Sequence, residues 1–168
     1  MEKINLNEYL ASNEYPGRGI AVAMAPDGRQ MFIGYFIMGR SENSRNRIFE
    51  PTEDGIRTRA FDEKKLTDPS LIIYSPVRKV NGCTVVTNGD QTDTVWEHLA
   101  KGESWEAALR TRQFEDDGPN WTPRISGLQA GDGSYKLSIL KSADPEGTAC
   151  APVSYTHLRA HETDQYLV

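Results

Sequence analysis

Short apolar runs separated by turn residues dominate the sequence, a pattern that predicts strands joined as hairpins. Residues 19–25 and 30–38 are two such runs, and the turn sequence PDG lies between them. The second run, QMFIGYFIM, is apolar at almost every position. We therefore expect the sheet that contains it to be covered on both faces. A short polar helix is predicted before the hairpin, at residues 5–12.

Further pairs of extended segments follow along the chain. The strongest turn signal is the dipeptide Asn81-Gly82, which is typical of two-residue hairpin turns. The predicted extended segments are residues 48–50 and 56–61, residues 71–80 and 83–87, and residues 124–128 and 135–140.

Two helices interrupt this series of strands. Apolar residues occur at helical spacing in residues 94–101 and again in residues 104–113. Asp90 or Thr92 is expected to cap the first helix and Ser104 the second. Strands, then helices, then strands again indicate an α+β fold in which helices cover an antiparallel sheet.

Composition and charge narrow the functional classes. Of the 168 residues, 26% are charged and 38% hydrophobic, which fits one globular domain. No apolar run approaches the roughly 20 residues of a membrane-spanning helix, and the first residues lack the order of a signal peptide. We therefore expect a cytoplasmic protein without a membrane partner. The net charge of -5 disfavours binding to nucleic acid.

The C-terminal segment, residues 153–168, differs in composition from the rest of the chain. Its sequence, VSYTHLRAHETDQYLV, resembles the translation of a common sequencing-library adaptor. We therefore expect a truncated domain at residues 1–152, incomplete at its C-terminus, followed by a disordered artefact. His157 and His161 have helical metal-site spacing but fall in this segment, so no metal site is expected.

The loop GRSENSRNR is the first candidate for chemistry. Guanidinium groups bind phosphate oxygens bidentately, so Arg40, Arg45 and Arg47 could form a phosphate cradle. A solvated basic loop explains the same residues about equally well.

The segment TNGDQTD runs from a strand end into a helix start. A glycine there permits close backbone approach, and the helix amides suit an anion or a polar ligand. Asn88, Gly89 and Asp93 are the candidate residues. A simple turn with capping residues is the alternative.

Two further candidates lie elsewhere in the chain. Glu115 follows a helix and Arg124 begins a strand, and a carboxylate beside an arginine can act as a base or orient an amide. Tyr74 closes the apolar run LIIY and could donate a hydrogen bond. An exposed acidic turn and a core tyrosine are the respective alternatives.

Taken in order, GRSENSRNR, DPSLIIYSPVRKV, VVTNGDQTD and NWTPRISG resemble the archaeal-type IMP cyclohydrolase family and its bacterial relatives. The resemblance implies a purine ribonucleotide ligand. It also implies closure of the purine ring, in which formamido-imidazole-carboxamide ribotide loses water to give IMP. The implied fold is a four-layered αββα sandwich like that of N-terminal nucleophile hydrolases. Neither a metal nor a redox cofactor is implied.

The resemblance also implies roles for the candidate residues. Arg40 would orient the ligand, Tyr74 would donate to the formyl oxygen, and Glu115 would act as base or amide clamp. The residues expected to line the nucleotide site or lie near its 5′-phosphate are Asn88, Gly89, Asp93, Arg45, Arg47 and Arg124.

Two other functions fit the same sequence. One is a non-catalytic purine-nucleotide-binding domain on the same fold. The other is an amide-bond hydrolase, which Glu2 disfavours because it cannot supply a terminal nucleophile. A homo-oligomer is compatible with each of these functions.

Overall fold

The computed structural model describes residues 5–70, 72–157 and 166–167. Its described strands form two antiparallel sheets. The smaller sheet has the order β10-β1-β2, and the larger has β3 to β9 in sequence order. The strands are β1 Arg18–Met24, β2 Met31–Ile37, β3 Arg47–Thr52, β4 Gly55–Ala60, β5 Val77–Val80, β6 Cys83–Thr87, β7 Arg124–Gln129, β8 Tyr135–Ser142, β9 Cys150–His157 and β10 Tyr166–Leu167.

The helices are short. They are α1 Leu6–Ser12, α2 Glu42–Arg45, α3 Gln91–Ala100 and α4 Trp105–Arg110, with a 3-10 helix at Glu63–Lys65. Within the described part of the chain, none has the length and apolar character needed to cross a membrane. Ser104 caps α4 as predicted, because its hydroxyl accepts a hydrogen bond from the Ala107 amide at 3.1 Å. Asp90 occupies the N-cap position of α3 without a capping hydrogen bond.

The predicted hairpins are present. In the first, Ile20 pairs with Tyr35 and Val22 with Ile33, so alternate side chains of β1 and β2 face the larger sheet. The turn between β5 and β6 has Asn81 and Gly82 at φ 48° and 75°. Positive φ at both positions is what a two-residue hairpin turn requires, and this dipeptide adopts it at low cost.

The two sheets pack face to face around an apolar core. Ile20 and Val22 of the smaller sheet contact Val86 and Leu137 of the larger one. Each such side chain contributes about 1.5–3 kcal/mol when fully buried. Gly127 lets the sheets approach, because a Cβ there would lie 3.1 Å from the Ile20 and Ile33 side chains.

The opposite face of the larger sheet packs against α3 and α4. Val85 and Leu128 from the sheet meet Val95, Trp105 and Ala108 from the helices. The described residues therefore form three layers, consisting of a small sheet, a large sheet and a helical layer. The predicted α+β fold with helix-covered antiparallel sheet is confirmed.

The outer face of β2 differs from the prediction. Among the described residues, nothing covers this face sufficiently to bury Phe32, which is 56% exposed. Gly34 is exposed beside it. The expectation of a sheet covered on both faces is therefore wrong for the part of the chain that the structure describes, because its helices pack on the larger sheet only.

The apolar run predicted as a strand at residues 71–80 forms a strand only at Val77–Val80. Leu71 lies outside the described residues. Tyr74 sits in a loop beside β4, where the Thr58 hydroxyl accepts a hydrogen bond from its amide at 2.9 Å. The Thr58 amide donates to the Tyr74 carbonyl at 2.8 Å. A side chain thus replaces part of the ladder that would have extended the strand.

Residues 153–157 were expected to be disordered, but they continue β9 beside β8. Ile139 pairs with Val153 and Ser138 with Ser154. The exposed edge of β8 offers unpaired backbone groups, and an extended segment satisfies them whatever its origin. His161 lies outside the described residues. The adaptor origin of residues 153–168 stays a prediction.

Candidate functional site

A cavity of about 480 Å³ opens between the start of β1, the loop that follows β2 and the loop between α4 and β7. The loop before β5, the turn from β6 into α3, and strands β7 and β8 add further lining residues. Its volume is within the range of small-molecule sites. Polar side chains dominate the rim, whereas Ile72, Ile125 and Ile139 supply an apolar part of the wall.

Arg18 and Glu115 form a largely buried ion pair in this cavity. Arg18 Nη1 lies 2.8 Å from Glu115 Oε1, and the Glu115 side chain is only 3% exposed. The Glu115 amide donates to the Thr122 carbonyl, which fixes the backbone that carries the carboxylate. Burial raises the pKa of Glu115 above its ordinary value, while the charges of Arg18 and Arg124 oppose that rise. A carboxylate with a raised pKa is a stronger base than an ordinary carboxylate.

Arg40 lies at the mouth of the same cavity. Its guanidinium Nη1 donates to Asn120 Oδ1 at 2.5 Å, which links the loop after β2 to the loop before β7. The guanidinium also lies 5.9 Å from the centre of the Tyr15 ring. Arg40 is exposed, so its charge is available to an anionic ligand at the entrance.

Tyr74 lies behind the cavity wall instead of on it. It is 7% exposed, and its hydroxyl is 2.8 Å from the hydroxyl of Tyr35 on β2. Burial raises the pKa of Tyr74, and the hydrogen bond between the two hydroxyls together with the charges of Arg47 and Arg18 counteracts that rise. Tyr74 also interacts electrostatically with Glu115, so the phenol and the carboxylate belong to one coupled group.

Arg47 belongs to this buried group as well. Its Nε donates to the Ser44 carbonyl at 2.7 Å. Both terminal nitrogens, Nη1 and Nη2, are buried and have no hydrogen-bond partner among the described residues. Arg47 lines a second cavity of about 340 Å³, not the first. The sequence-based expectation that it contacts phosphate at the main site therefore lacks support from its position.

Asn88 lines the cavity and also ties its walls together. Its Oδ1 accepts from the Ile125 amide at 2.9 Å, and its Nδ2 donates to the Pro123 carbonyl at 2.9 Å. The side-chain amide of Gln91 donates to the same Oδ1. Asn88 is thus fully engaged by protein groups at its oxygen, and it shapes the site more than it offers free donors.

Gly89 and Arg124 support the site from behind. Arg124 Nη1 lies 2.6 Å from Asp90 Oδ1 and 2.7 Å from Gln91 Oε1. A Cβ on Gly89 would come within 2.7 Å of that same Arg124 nitrogen, so a larger residue here would displace the Arg124 guanidinium. Arg124 is therefore bound to protein groups and acts on Glu115 through its charge.

Two predicted site residues do not join the others. Asp93, in the first turn of α3, pairs with Arg78 at 3.0 Å on the outside of the larger sheet. Arg45 donates from Nε to the Gly39 carbonyl at 2.8 Å and lines the second cavity. Neither side chain lines the first cavity, and their role in a nucleotide site stays a prediction.

Two residues of the buried group were not among the sequence candidates. Arg18 and Tyr35 occupy inward-facing positions of β1 and β2, in rows that otherwise contain Ile20 and Ile33. A polar side chain in an apolar inward-facing row was the available signal. Which partner it meets depends on pairing between distant segments.

Within the described residues, no cluster of three or more histidine, cysteine or acidic side chains could hold a metal ion.

Comparison with known proteins identifies the family of the chain. A family model described as IMP cyclohydrolase-like protein matches residues 15–168. The chain belongs to the IMP cyclohydrolase-like protein family. The match includes residues 153–168, whose adaptor origin remains a prediction.

Archaeal relatives show the same similarity. The chain is 30% identical over 124 residues to a protein of Halobacterium salinarum (strain R1) named IMP cyclohydrolase, covering 68% of this chain and 62% of that protein. It is 28% identical over 121 residues to the IMP cyclohydrolase of Methanothrix thermoacetophila, covering 70% of this chain and 58% of the relative. The matches thus span about three fifths of the length of these relatives.

Proposed function

We propose that this chain is an IMP cyclohydrolase of purine biosynthesis, which closes formamido-imidazole-carboxamide ribotide to IMP with loss of water. Membership of the family and the names of the archaeal relatives support this reaction. The observation that carries it in the structure is the buried Arg18–Glu115 pair inside a cavity of nucleotide size. The pair places a proton acceptor where a carboxamide could be held.

The reaction needs a base and an acid in fixed positions. The carboxamide nitrogen attacks the formyl carbon and gives up a proton, which Glu115 accepts. Tyr74, which lies just behind the cavity wall, would donate towards the formyl oxygen as negative charge develops there. Holding both reacting groups of one substrate in contact supplies much of the rate enhancement, because the attack is intramolecular.

The anionic end of the substrate points to the cavity mouth in this proposal. Arg40 is the arginine that both lines the cavity and is exposed there. Ser41 lines the same rim and adds a hydroxyl. Together they would hold the 5′-phosphate, while Arg124 and Arg47 act through their charge from buried positions.

The predicted fold type, cellular location, ligand class and oligomeric state are each part of this proposal. The two sheets packed face to face with helices on one side supply three of the four layers of the αββα arrangement of N-terminal nucleophile hydrolases, and the fourth layer stays a prediction. Purine biosynthesis fits a cytoplasmic protein with a small nucleotide, not a nucleic acid, as its partner. A homo-oligomer is compatible with the free edge of β3.

Turnover of the formylated ribotide tests the proposal. The protein should convert it to IMP, followed by the ultraviolet change and by chromatography of the product. Glu115→Gln should lower kcat by about 100-fold or more with little effect on substrate binding, because the amide cannot accept the proton. Glu97→Gln on the exposed side of α3 is the matched control and should retain full activity.

The outcomes separate the candidate functions. Folded protein that forms no IMP contradicts the proposal. Calorimetry on the same sample then distinguishes what remains, because IMP binding without turnover would support the non-catalytic nucleotide-binding domain.

A further inference from the structure

The terminal nitrogens of Arg47 lack hydrogen-bond partners. Both Nη1 and Nη2 are buried and unpartnered among the described residues, whereas Nε donates to the Ser44 carbonyl. Buried guanidinium nitrogens without hydrogen-bond partners destabilise the folded state. Such a cost is retained where an anion forms during function. Among the neighbouring titratable groups, Tyr74 has the largest electrostatic effect on the pKa of Arg47.

Tyr35 gives the same phenol a second support. Its hydroxyl lies 2.8 Å from the Tyr74 hydroxyl, and either oxygen could be the donor. If Tyr35 donates, the proton of Tyr74 is free to go to a ligand, and the Tyr74 oxygen gains a hydrogen bond that strengthens with negative charge. The Tyr35 ring is fixed against Phe49, with ring centres 6.1 Å apart.

We propose that Tyr74 is a general acid that passes through a phenolate, with Tyr35 as its hydrogen-bond donor and Arg47 as its counter-charge. Tyr35 and Arg47 are positioning residues, because both act through Tyr74. This inference rests on the proposed cyclohydrolase function. It replaces the expectation that Arg47 binds the substrate phosphate.

The proton balance of the reaction closes with these groups. In the first step the bond between carboxamide nitrogen and formyl carbon forms, the nitrogen proton goes to Glu115, and the Tyr74 proton goes to the formyl oxygen. The Glu115 proton then returns to the Tyr74 phenolate, directly or through water. In the second step the carbon–oxygen bond breaks, the hydroxyl leaves as water with the Tyr74 proton, and Glu115 takes a nitrogen proton as the ring C=N bond forms. A second return of the proton resets the site.

Charged and titratable groups face Tyr74 from each element packed against it. They are Arg18 on β1, Tyr35 on β2, Arg47 on β3 and Glu115 in the loop after α4. The hydrogen bond from Tyr35 and the two arginines lower the pKa of the phenol, opposing burial, while Glu115 raises it. Removing Tyr35 or Arg47 therefore moves the titration of Tyr74 to higher pH.

The test removes each support in turn. Tyr35→Phe keeps the ring and deletes the hydroxyl, and Arg47→Met keeps much of the volume and deletes the charge. Each should lower kcat roughly tenfold or more while KM stays within about twofold. Tyr9→Phe and Arg59→Met, both at exposed positions, are the matched controls and should behave as wild type.

Two readouts besides turnover separate this mechanism from a merely structural role. With 3,5-difluorotyrosine incorporated at position 74, phenolate absorbance should appear at a pH about one unit higher or more in both variants. The Tm of Arg47→Met should rise, because an unpaired buried charge is replaced by an apolar side chain. A structural arginine would instead give a lower Tm.

Each outcome decides the inference. Wild-type turnover with unchanged kcat and an unmoved titration in Tyr35→Phe overturns it, and this variant decides the case even if Arg47→Met fails to fold. Absent wild-type turnover with shifted titrations overturns the cyclohydrolase proposal and supports the stabilised phenolate. Loss of IMP affinity in Arg47→Met with normal kcat would assign Arg47 to the phosphate and overturn the inference.

Discussion

At the scale of single residues, the proposed reaction depends on the pKa of Glu115. Burial favours the protonated acid, whereas Arg18 at 2.8 Å and Arg124 behind it favour the carboxylate. The balance leaves the pKa of Glu115 raised, and the group remains able to exchange protons. Arg18 therefore controls the base without being the base.

Replacing Arg18 should change the pH dependence of the reaction. In Arg18→Gln the largest opposing charge is lost, so the pKa of Glu115 rises further. Since the base works in its charged form, the acid limb of the kcat/KM profile should move to higher pH. The kcat/KM of Arg18→Gln, relative to wild type, should therefore be lower at pH 6 than at alkaline pH. An assay of IMP formation across pH checks this.

Arg29→Gln is the control for that experiment, because Arg29 lies exposed in the turn between β1 and β2. Its profile should coincide with that of wild type. An unchanged acid limb in Arg18→Gln would show that Arg18 does not set the ionisation of the base.

At the scale of elements, the turn from β6 into α3 organises the site. Asn88 fixes the backbone at Pro123 and Ile125, and Gly89 leaves room for the Arg124 guanidinium. The turn therefore joins β6, α3 and the loop that carries Glu115. A ligand-binding wall made in this way is rigid because each polar group already has a partner.

Gly89→Ala should disrupt the packing of the turn between β6 and α3. The added methyl would lie 2.7 Å from both Arg124 Nη1 and Gln91 Oε1, so the hydrogen bond between them must yield. We expect a loss of about 1–3 kcal/mol in the free energy of unfolding, measured with urea, and lower activity.

Gly34→Ala is the matched substitution on β2. Its methyl would meet only the Ala21 carbonyl at 3.9 Å, which is ordinary contact, so the free energy of unfolding should change little. Equal stability of Gly89→Ala and wild type would contradict the packing described for the turn.

Local signals predicted the elements well, and distant pairing explains what they missed. The Asn81-Gly82 turn and the helical spacing around Val95 are properties of neighbouring residues, so both predictions are confirmed. Arg18 meets Glu115 across 97 positions in the chain, which no local pattern reveals. Asp93 pairs with Arg78 and does not line the cavity, which the local sequence of the turn from strand to helix does not reveal.

At the scale of the whole molecule, the larger sheet is the central layer against which the other two layers pack. β7 and β8 lie between the smaller sheet and the helical layer, and β9 completes the edge beyond β8. Residues 153–157 pair with the edge of β8, because an exposed edge strand offers unpaired backbone groups to an extended neighbour.

Deleting residues 153–168 should therefore weaken the fold. The backbone of β8 from Tyr135 to Ile139 would lose its hydrogen-bonded partner strand. We expect a loss of roughly 2–5 kcal/mol in the free energy of unfolding and faster hydrogen exchange in β8. Unchanged exchange there would show that the segment is not paired with β8.

A crystal structure of the protein with IMP bound tests the central claim most directly. The account predicts the purine ring within hydrogen-bond distance of Glu115 and on the side of Tyr74, with the phosphate against Arg40. A nucleotide seated elsewhere, with Glu115 still bonded only to Arg18, would contradict it.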